Sequence, residues 1–392
     1  MTIEMSAAGT GYMTDERRML QEHARQFTMR EVLPLANKLD PVQGDIPPSL
    51  RDQMASMGYF GILIEEEHGG LGLGCFEYCL ITEQLARGWM SVASLLARGN
   101  QLIGLEAMTP ERRRELLPKV ASGELLGAFA MSEANTGSDV SSISCRAVRD
   151  GDEWVITGNK YWCTFADGAD YLVIVARTAP GEPTRRYAGL SMFYVPKPRG
   201  QFPSGVSGSP IPKIGYFGWK TFELAFDACR VPASALIGEE GKAFYVLSRG
   251  LEKARAHTAA RSIGLAQAAL EDAIAYAKER VQFGQPIAAF QAIRFKIATM
   301  ATEIEAARAL LYEVCTKIDT GARCETEAAM VKYFASEMSE RVTSEGLQIL
   351  GGAGYTKLFP MERHWRDARL TKIFEGTSEI QQRIISDKLL GR

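Results

Sequence analysis

The sequence predicts a mixed α+β protein in three consecutive parts: helical over residues 1–125, β-rich over 126–238 and helical again over 239–392. Three observations predict it. Apolar residues recur at helical spacing in the first and last parts, and short β-branched and aromatic runs separated by Gly, Pro and Asp fill the middle. The 392 residues also exceed what one hydrophobic core usually holds.

In the first part Leu20, Ala24 and Phe27 share a helical face, and Phe76 to Ala86 is a second periodic run that stops at Arg87-Gly88. Pro47-Pro48 and Glu67-His68-Gly69-Gly70-Leu71-Gly72 break these helices as loops. The last helix is predicted over Pro110 to Ala121, with Thr109 as N-cap and proline at the first helical position, where its missing N–H is not needed. Beyond 126, residues 153–157, 171–176, 190–195 and 221–226 read as strands between Asp150-Gly151-Asp152, Pro180-Gly181 and Pro196-Lys197-Pro198. Helix returns from Gly241. Ile293, Ile297, Met300, Ile304, Ala307 and Leu311 form the stripe of a bundle helix, and Glu325 to Leu350 is another long helix, so three or four such helices make a bundle with apolar core stripes.

Composition excludes several classes. A formal charge of −2 with interspersed signs gives no basic field for nucleic acid or an anionic membrane. Seven cysteines without a C-x-x-C pair argue against a disulfide framework and fit a reducing, cytoplasmic setting, as small apolar fillers. Four scattered histidines lack ligand spacing, so no metal site is expected. Acidic Glu4 and the absence of a run of roughly 20 apolar residues argue against a signal peptide or a membrane span. No G-x-G-x-x-G follows a strand, and Gly69 to Gly74 lacks the lysine of a phosphate loop.

The chemistry concentrates near the C-terminus, in Ile373-Phe374-Glu375-Gly376-Thr377-Ser378-Glu379-Ile380-Gln381. Ser378 and Gln381 have capping-box spacing, which places Glu375 on a turn before a helix. Gly376 lets the backbone approach a ligand, and the helix start offers free N–H groups. A carboxylate so placed suits proton abstraction.

This stretch resembles the C-terminal signature of the acyl-CoA dehydrogenase family. Other blocks agree in the same order: Met131-Ser132-Glu133-Ala134-Asn135-Thr136-Gly137-Ser138-Asp139, Tyr161-Trp162-Cys163-Thr164, Glu279-Arg280-Val281-Gln282-Phe283-Gly284 and Gln348-Ile349-Leu350-Gly351-Gly352-Ala353-Gly354-Tyr355. The resemblance covers residues 12 to 392. It implies that the β-rich part is a central antiparallel β-barrel, that the last part is a four-helix bundle, and that the protein is an FAD-dependent homotetramer. Glu375 is then the catalytic base that takes the pro-R α proton of an acyl-CoA, while the β hydride goes to flavin N5 to give a trans-2-enoyl-CoA. No side chain accepts hydride, so the flavin must. The same resemblance implies that the Glu375 N–H and a flavin ribityl hydroxyl polarise the thioester carbonyl. Burial beside the acyl chain is expected to raise the Glu375 pKa toward neutrality.

Carried over by position, Phe129, Met131, Ser132, Thr136, Gly137 and Ser138 lie along the flavin, with Ser138 also near the CoA. Trp162 packs on the ring system and Thr164 bonds toward its N5. Arg280, Phe283 and Gln291, with Gln348, Gly351 and Gly352, meet the pyrophosphate and adenosine from a neighbouring subunit, and an arginine fork suits phosphate oxygens. Thr377 and Glu379 are further adenosine contacts, although the family often has an amide at position 379. Glu252, Arg255 and Gly376 meet the acyl-CoA. Electrons pass to an electron-transferring flavoprotein.

Two departures carry information. Ser132-Glu133-Ala134-Asn135 lacks the proline usual in that flavin loop, which predicts a less rigid loop. The helix position that supplies the base in isovaleryl- and long-chain-type members is Ala254 here, which leaves Glu375. Arg98 falls where medium-chain-type relatives close the acyl cavity, and a cation there would suit a dicarboxylyl-CoA of glutaryl or adipyl type. The competing readings are a same-fold flavoenzyme performing oxygenation or elimination, and a helical interaction protein without catalysis.

Overall fold

The computed structural model describes residues 11–391 except 101–103 and the side chain of Arg249, so Glu4 lies outside the described residues. Six helices lead: α1 (Asp15–Phe27), α2 (Leu33–Leu39), α3 (Pro48–Ser56), α4 (Cys75–Gly88), α5 (Met90–Asn100) and α6 (Pro110–Ala121). The expected cap is present, Thr109 Oγ1 accepting from the Arg112 N–H at 3.4 Å. Strands β1 (Gly127–Ala130), β2 (Arg146–Asp150), β3 (Glu153–Thr164), β4 (Tyr171–Arg177), β5 (Leu190–Pro196), β6 (Val206–Pro210), β7 (Thr221–Pro232) and β8 (Leu236–Ile237) follow. Helix resumes with α7 (Ala243–Glu279), interrupted by the hairpin β9 (Val281–Gln282) and β10 (Gln285–Pro286). It ends with α8 (Gln291–Asp319), α9 (Glu325–Leu350), α10 (Met361–Thr371) and α11 (Ser378–Leu389).

The chain forms two compact units, one of Met1–Pro41, Leu73–Ser94 and Lys253–Arg392, the other of Val42–Gly72 and Leu95–Glu252. In the second, the strands join in the order β6-β7-β3-β2-β4-β5-β8, with β1 beside β4. The mixed α+β class is as expected, but this order has two ends and β1 runs parallel to β4, so the sheet is neither a closed barrel nor wholly antiparallel. Strand β4 explains its unbroken apolar run. Leu172, Ile174 and Ala176 enter one core with Trp154 and Phe193, while Tyr171, Val173 and Val175 enter another with Leu116, Leu117 and Val120 of α6. Both faces are buried.

In the first unit, Met300, Ile304, Ala307 and Leu311 of α8 are buried as their spacing predicts. Gly264 of α7 allows close helix packing, since a Cβ there would lie 2.2 Å from the Glu83 carbonyl oxygen of α4. The cysteines are all buried and lie outside any disulfide, and three of them gather, Cys75 Sγ lying 4.0 Å from both Cys79 Sγ and Cys315 Sγ. Among the described residues no helix is long and apolar enough to cross a membrane.

Candidate active site

Glu375 lies on the turn between α10 and α11 with φ +53°, followed by Gly376 at φ +87°. A non-glycine residue in this region costs on the order of 1 kcal/mol or more and persists only where the surroundings impose it. Here they do. Lys332 Nζ donates to the Gly376 carbonyl at 2.6 Å, Gln381 Nε2 donates to the same oxygen at 3.0 Å, and the Ser378 N–H donates to Lys372 O at 3.0 Å. Gly376 at φ +87° is in the left-handed region that a side chain would strain, so the turn favours its glycine.

The cap differs by one residue from expectation. Thr377, not Ser378, caps α11, accepting from the Ile380 N–H at 3.3 Å. The Ser378 hydroxyl is committed to Glu337 Oε1 at 2.7 Å, and Gln381 is drawn to Gly376, so neither is left to form the capping box.

Both Glu375 oxygens are engaged. Arg261 Nη2 donates to Oε1 at 2.7 Å, and the Thr258 hydroxyl meets Oε2 at 2.6 Å. The same Arg261 donates through Nη1 to Ser94 Oγ at 2.8 Å and lies 4.7 Å above the Phe374 ring. Ala254, Thr258 and Arg261 fall on one face of α7 at intervals of four and three. The Arg261 side chain is 1% exposed and that of Glu375 31%, which leaves the acid reachable over a buried cation. Lys332 is fully buried behind the turn, and burial pushes its amine down to about 8, against the pull of the Glu375 charge.

In the other unit, the segment 131–138 is pinned by a buried pair. Lys160 Nζ donates to Glu133 Oε1 at 2.9 Å and to Met131 O at 2.8 Å, and Glu133 also accepts from the Ser144 and Cys145 N–H groups. Burial alone would raise the Glu133 carboxyl, but Ser144, Lys160 and the Cys145 N–H outweigh it and hold it below the ordinary range. Reciprocal Glu133–Thr136 backbone bonds of 2.9 and 3.0 Å close the turn. The missing proline is thus replaced by an ion pair, and the expected looseness does not follow.

The Tyr161 N–H donates to Ser132 O at 2.8 Å, which ties this segment to β3. There Lys160 faces Leu224 and Cys163 faces Phe222, so β3 carries one residue more than β7 and bulges. The bulge puts Trp162 at φ +64° with 57% of its surface exposed, an aromatic face turned out of the sheet. Thr164 Oγ1 lies 3.0 Å from Thr221 Oγ1. Phe129, Met131 and Ser132 are half-buried, Thr136 buried, and Gly137 and Ser138 exposed. The Arg98 guanidinium lies 4.9 Å from the Trp219 ring centre and 6.0 Å from that of Phe165, and no acid pairs with it among the described residues.

The remaining predicted residues divide between helix ends and a hairpin. Arg280 precedes β9, Phe283 is 94% exposed at φ +51° on the hairpin turn, and exposed Gln291 opens α8. Gln348, Gly351 and Gly352 at the end of α9 are exposed, with nothing within 4 Å of a Cβ built on either glycine. Half-buried Thr377 and exposed Glu379 begin α11; Glu252 is half-buried and Arg255 buried on α7. Sequence reasoning missed Arg261, Thr258 and Lys332. Their partners lie far away in sequence, so no local pattern marked them.

Comparison with known proteins gives one answer. Residues 14–124, 128–229 and 241–390 match the N-terminal, middle and C-terminal domains of acyl-CoA dehydrogenases. The chain is 40% identical to a (2S)-methylsuccinyl-CoA dehydrogenase of Cereibacter sphaeroides over 97% of its length and 71% of that protein. It is 35% identical to a 3-(aryl)acrylate reductase of Clostridium sporogenes over 97% of its length and all of that protein. The structure of butyryl-CoA dehydrogenase from Megasphaera elsdenii superposes with a TM-score of 0.90 at 34% identity, covering 96% of this chain and 99% of that one. A chain that matches all three domains in order, with relatives 35–40% identical over nearly all of its length, makes this protein a member of the acyl-CoA dehydrogenase family, oxidoreductases acting on CH–CH groups.

Proposed function

We propose that this protein is an FAD-dependent acyl-CoA dehydrogenase in which Glu375 removes the α proton of the thioester. The observation that carries the reading is the held turn: a partly exposed carboxylate at φ +53°, its position over-determined by Lys332, Gln381 and Arg261. Proton abstraction needs a base aimed within hydrogen-bond reach of the C–H, and rigidity there is worth rate. When bound, FAD supplies the hydride acceptor that no side chain provides.

The residues present fit such a cofactor. Trp162 offers an exposed indole face and Ser132 to Ser138 a pinned, partly exposed backbone, while Arg280, Phe283, Gln291, Gln348, Gly351 and Gly352 would hold the pyrophosphate and adenosine of a neighbouring subunit in a homotetramer. Phe129, Met131, Thr164, Thr377 and Glu379 complete the cofactor set, and Ser138, Glu252, Arg255 and Gly376 the acyl-CoA set. Electrons leave to an electron-transferring flavoprotein, in the cytoplasm. A panel of acyl-CoA thioesters that bleaches the flavin anaerobically supports the reading; a protein purified without flavin, or one that no thioester reduces, overturns it.

Arg280→Ala is expected to lose FAD during purification and to weaken the tetramer, because the pyrophosphate charge loses its fork. Absorbance at the flavin band and light scattering measure both. A fully flavinated tetramer with an unchanged melting temperature would show that Arg280 does not make this contact.

A second reading concerns the substrate. The relative named for (2S)-methylsuccinyl-CoA acts on an acyl group that carries its own carboxylate, which favours a dicarboxylyl-CoA here.

A further inference from the structure

We propose that Arg261, not Arg98, reads the acyl group, and that the substrate carries a carboxylate on its β carbon, as a succinyl-type thioester does. The inference rests on Glu375 being the base. Arg261 is a fully buried guanidinium fixed in place by Ser94 Oγ at 2.8 Å and by the Phe374 ring at 4.7 Å. Unlike a surface arginine, it has no path along which its stem carries the charge to water.

Its position relative to the base sets the chain length. Arg261 Nη2 is 2.7 Å from Glu375 Oε1, and the base must touch the α C–H to remove the proton. Any anion that Arg261 receives therefore lies close to the α carbon. A carboxylate bonded to the β carbon stays within that radius, whereas one at the end of an adipyl chain is carried out of it. Arg98 differs in kind. Its guanidinium is half-buried against the Trp219 and Phe165 faces, which attract a cation without an anion.

The anion also explains how the base is released. In the structure both Glu375 oxygens are held, Oε1 by Arg261 and Oε2 by Thr258. A substrate carboxylate that takes over the Arg261 fork frees Oε1 to face the α C–H. The countercharge matters again in the reaction, when Glu375 gains the proton and becomes neutral while Arg261 remains charged and buried. A succinyl-type carboxylate then balances it, which favours the transition state over the free enzyme. The bonds that change are those of desaturation: the α proton goes to Glu375, the β hydrogen leaves as hydride to FAD, and a C=C bond forms.

The test compares kcat/KM of the FAD-loaded enzyme for succinyl-, glutaryl-, adipyl- and butyryl-CoA, in wild type, Arg261→Gln, Arg261→Lys and Arg98→Met. Wild type is expected to prefer succinyl-CoA over butyryl-CoA by ~10²-fold or more, because a site built for a charged partner rejects the analogue lacking it. Arg261→Gln should abolish that preference and Arg98→Met should retain it. Calorimetry gives a second readout: in the Glu375→Gln background, where reduction is slowed enough to measure binding, adding Arg261→Gln should weaken succinyl-CoA binding by about 10-fold or more and leave butyryl-CoA binding unchanged. If Arg261→Gln does not fold, the wild-type preference and the Arg261→Lys ratio decide. Butyryl-CoA equal to or better than succinyl-CoA in wild type overturns the proposal, as does a preference lost in Arg98→Met alone. If no thioester reduces the flavin, the base reading fails, and calorimetry alone decides Arg261.

Discussion

Glu375→Gln is expected to bind flavin and acyl-CoA normally and to reduce the flavin about 10²–10⁴-fold more slowly. Glutamine keeps the length of the side chain and an oxygen that accepts from Arg261 at the site of the 2.7 Å contact, and it removes only the capacity to take a proton. Stopped-flow reduction measures the loss and equilibrium titration shows that binding survives. Glu375→Ala is the informative control: it should destabilise the fold as well, because it strips the carboxylate from a guanidinium that is 1% exposed. Reduction by Glu375→Gln at near wild-type rate would move the base elsewhere on the chain.

Lys160→Met should cost about 3–5 kcal/mol of stability, the usual consequence of leaving one member of a buried ion pair without the other. Lys160 is 0% exposed and Glu133 8%. Lys160→Met with Glu133→Gln should recover most of the loss, which separates the charge from the packing. The pH dependence has a defined sign. The Glu133 carboxyl is depressed in the folded protein, so its contribution is complete above the ordinary glutamate range near about 4.3 and disappears as pH falls through the lower folded value. Denaturant midpoints taken from neutral pH into that window should fall steeply in wild type and less steeply in Lys160→Met. Equal midpoints for wild type and variant at neutral pH would mean that the pair does not hold segment 131–138.

Legibility in the sequence followed how local each cause was. The helix Pro110–Ala121 was readable because its cap and its proline are adjacent residues, and the turn at Glu375 because Gly376 and the helix start after it are its neighbours in sequence. Arg261 was not, since its partner lies 114 positions away and nothing in Ala259-Ala260-Arg261 distinguishes a buried cation from a solvated one. The Trp162 bulge is a property of the pairing between β3 and β7, which neither strand states alone. The open sheet escaped notice for the same reason: strand existence is local, closure is not. The cap at Thr377 went to the neighbour of the predicted residue because a distant acid, Glu337, claimed the Ser378 hydroxyl.

The way the chain is divided between its two units sets an order of events during synthesis. The β-rich unit draws only on Val42–Gly72 and Leu95–Glu252, so its sequence is complete when Glu252 leaves the ribosome. The helical unit combines the earliest residues with Lys253–Arg392, so α1 and α4 wait for the final third of the chain, on the order of ten seconds or more at ordinary elongation rates. During that interval the apolar faces of α1 and α4, including Cys75 and Cys79, lack the partner surface and the third thiol that Cys315 later brings. Slow translation or truncation after Glu252 should therefore leave a finished β unit tethered to sticky helices, a species that nascent-chain chaperones would retain and that would aggregate without them.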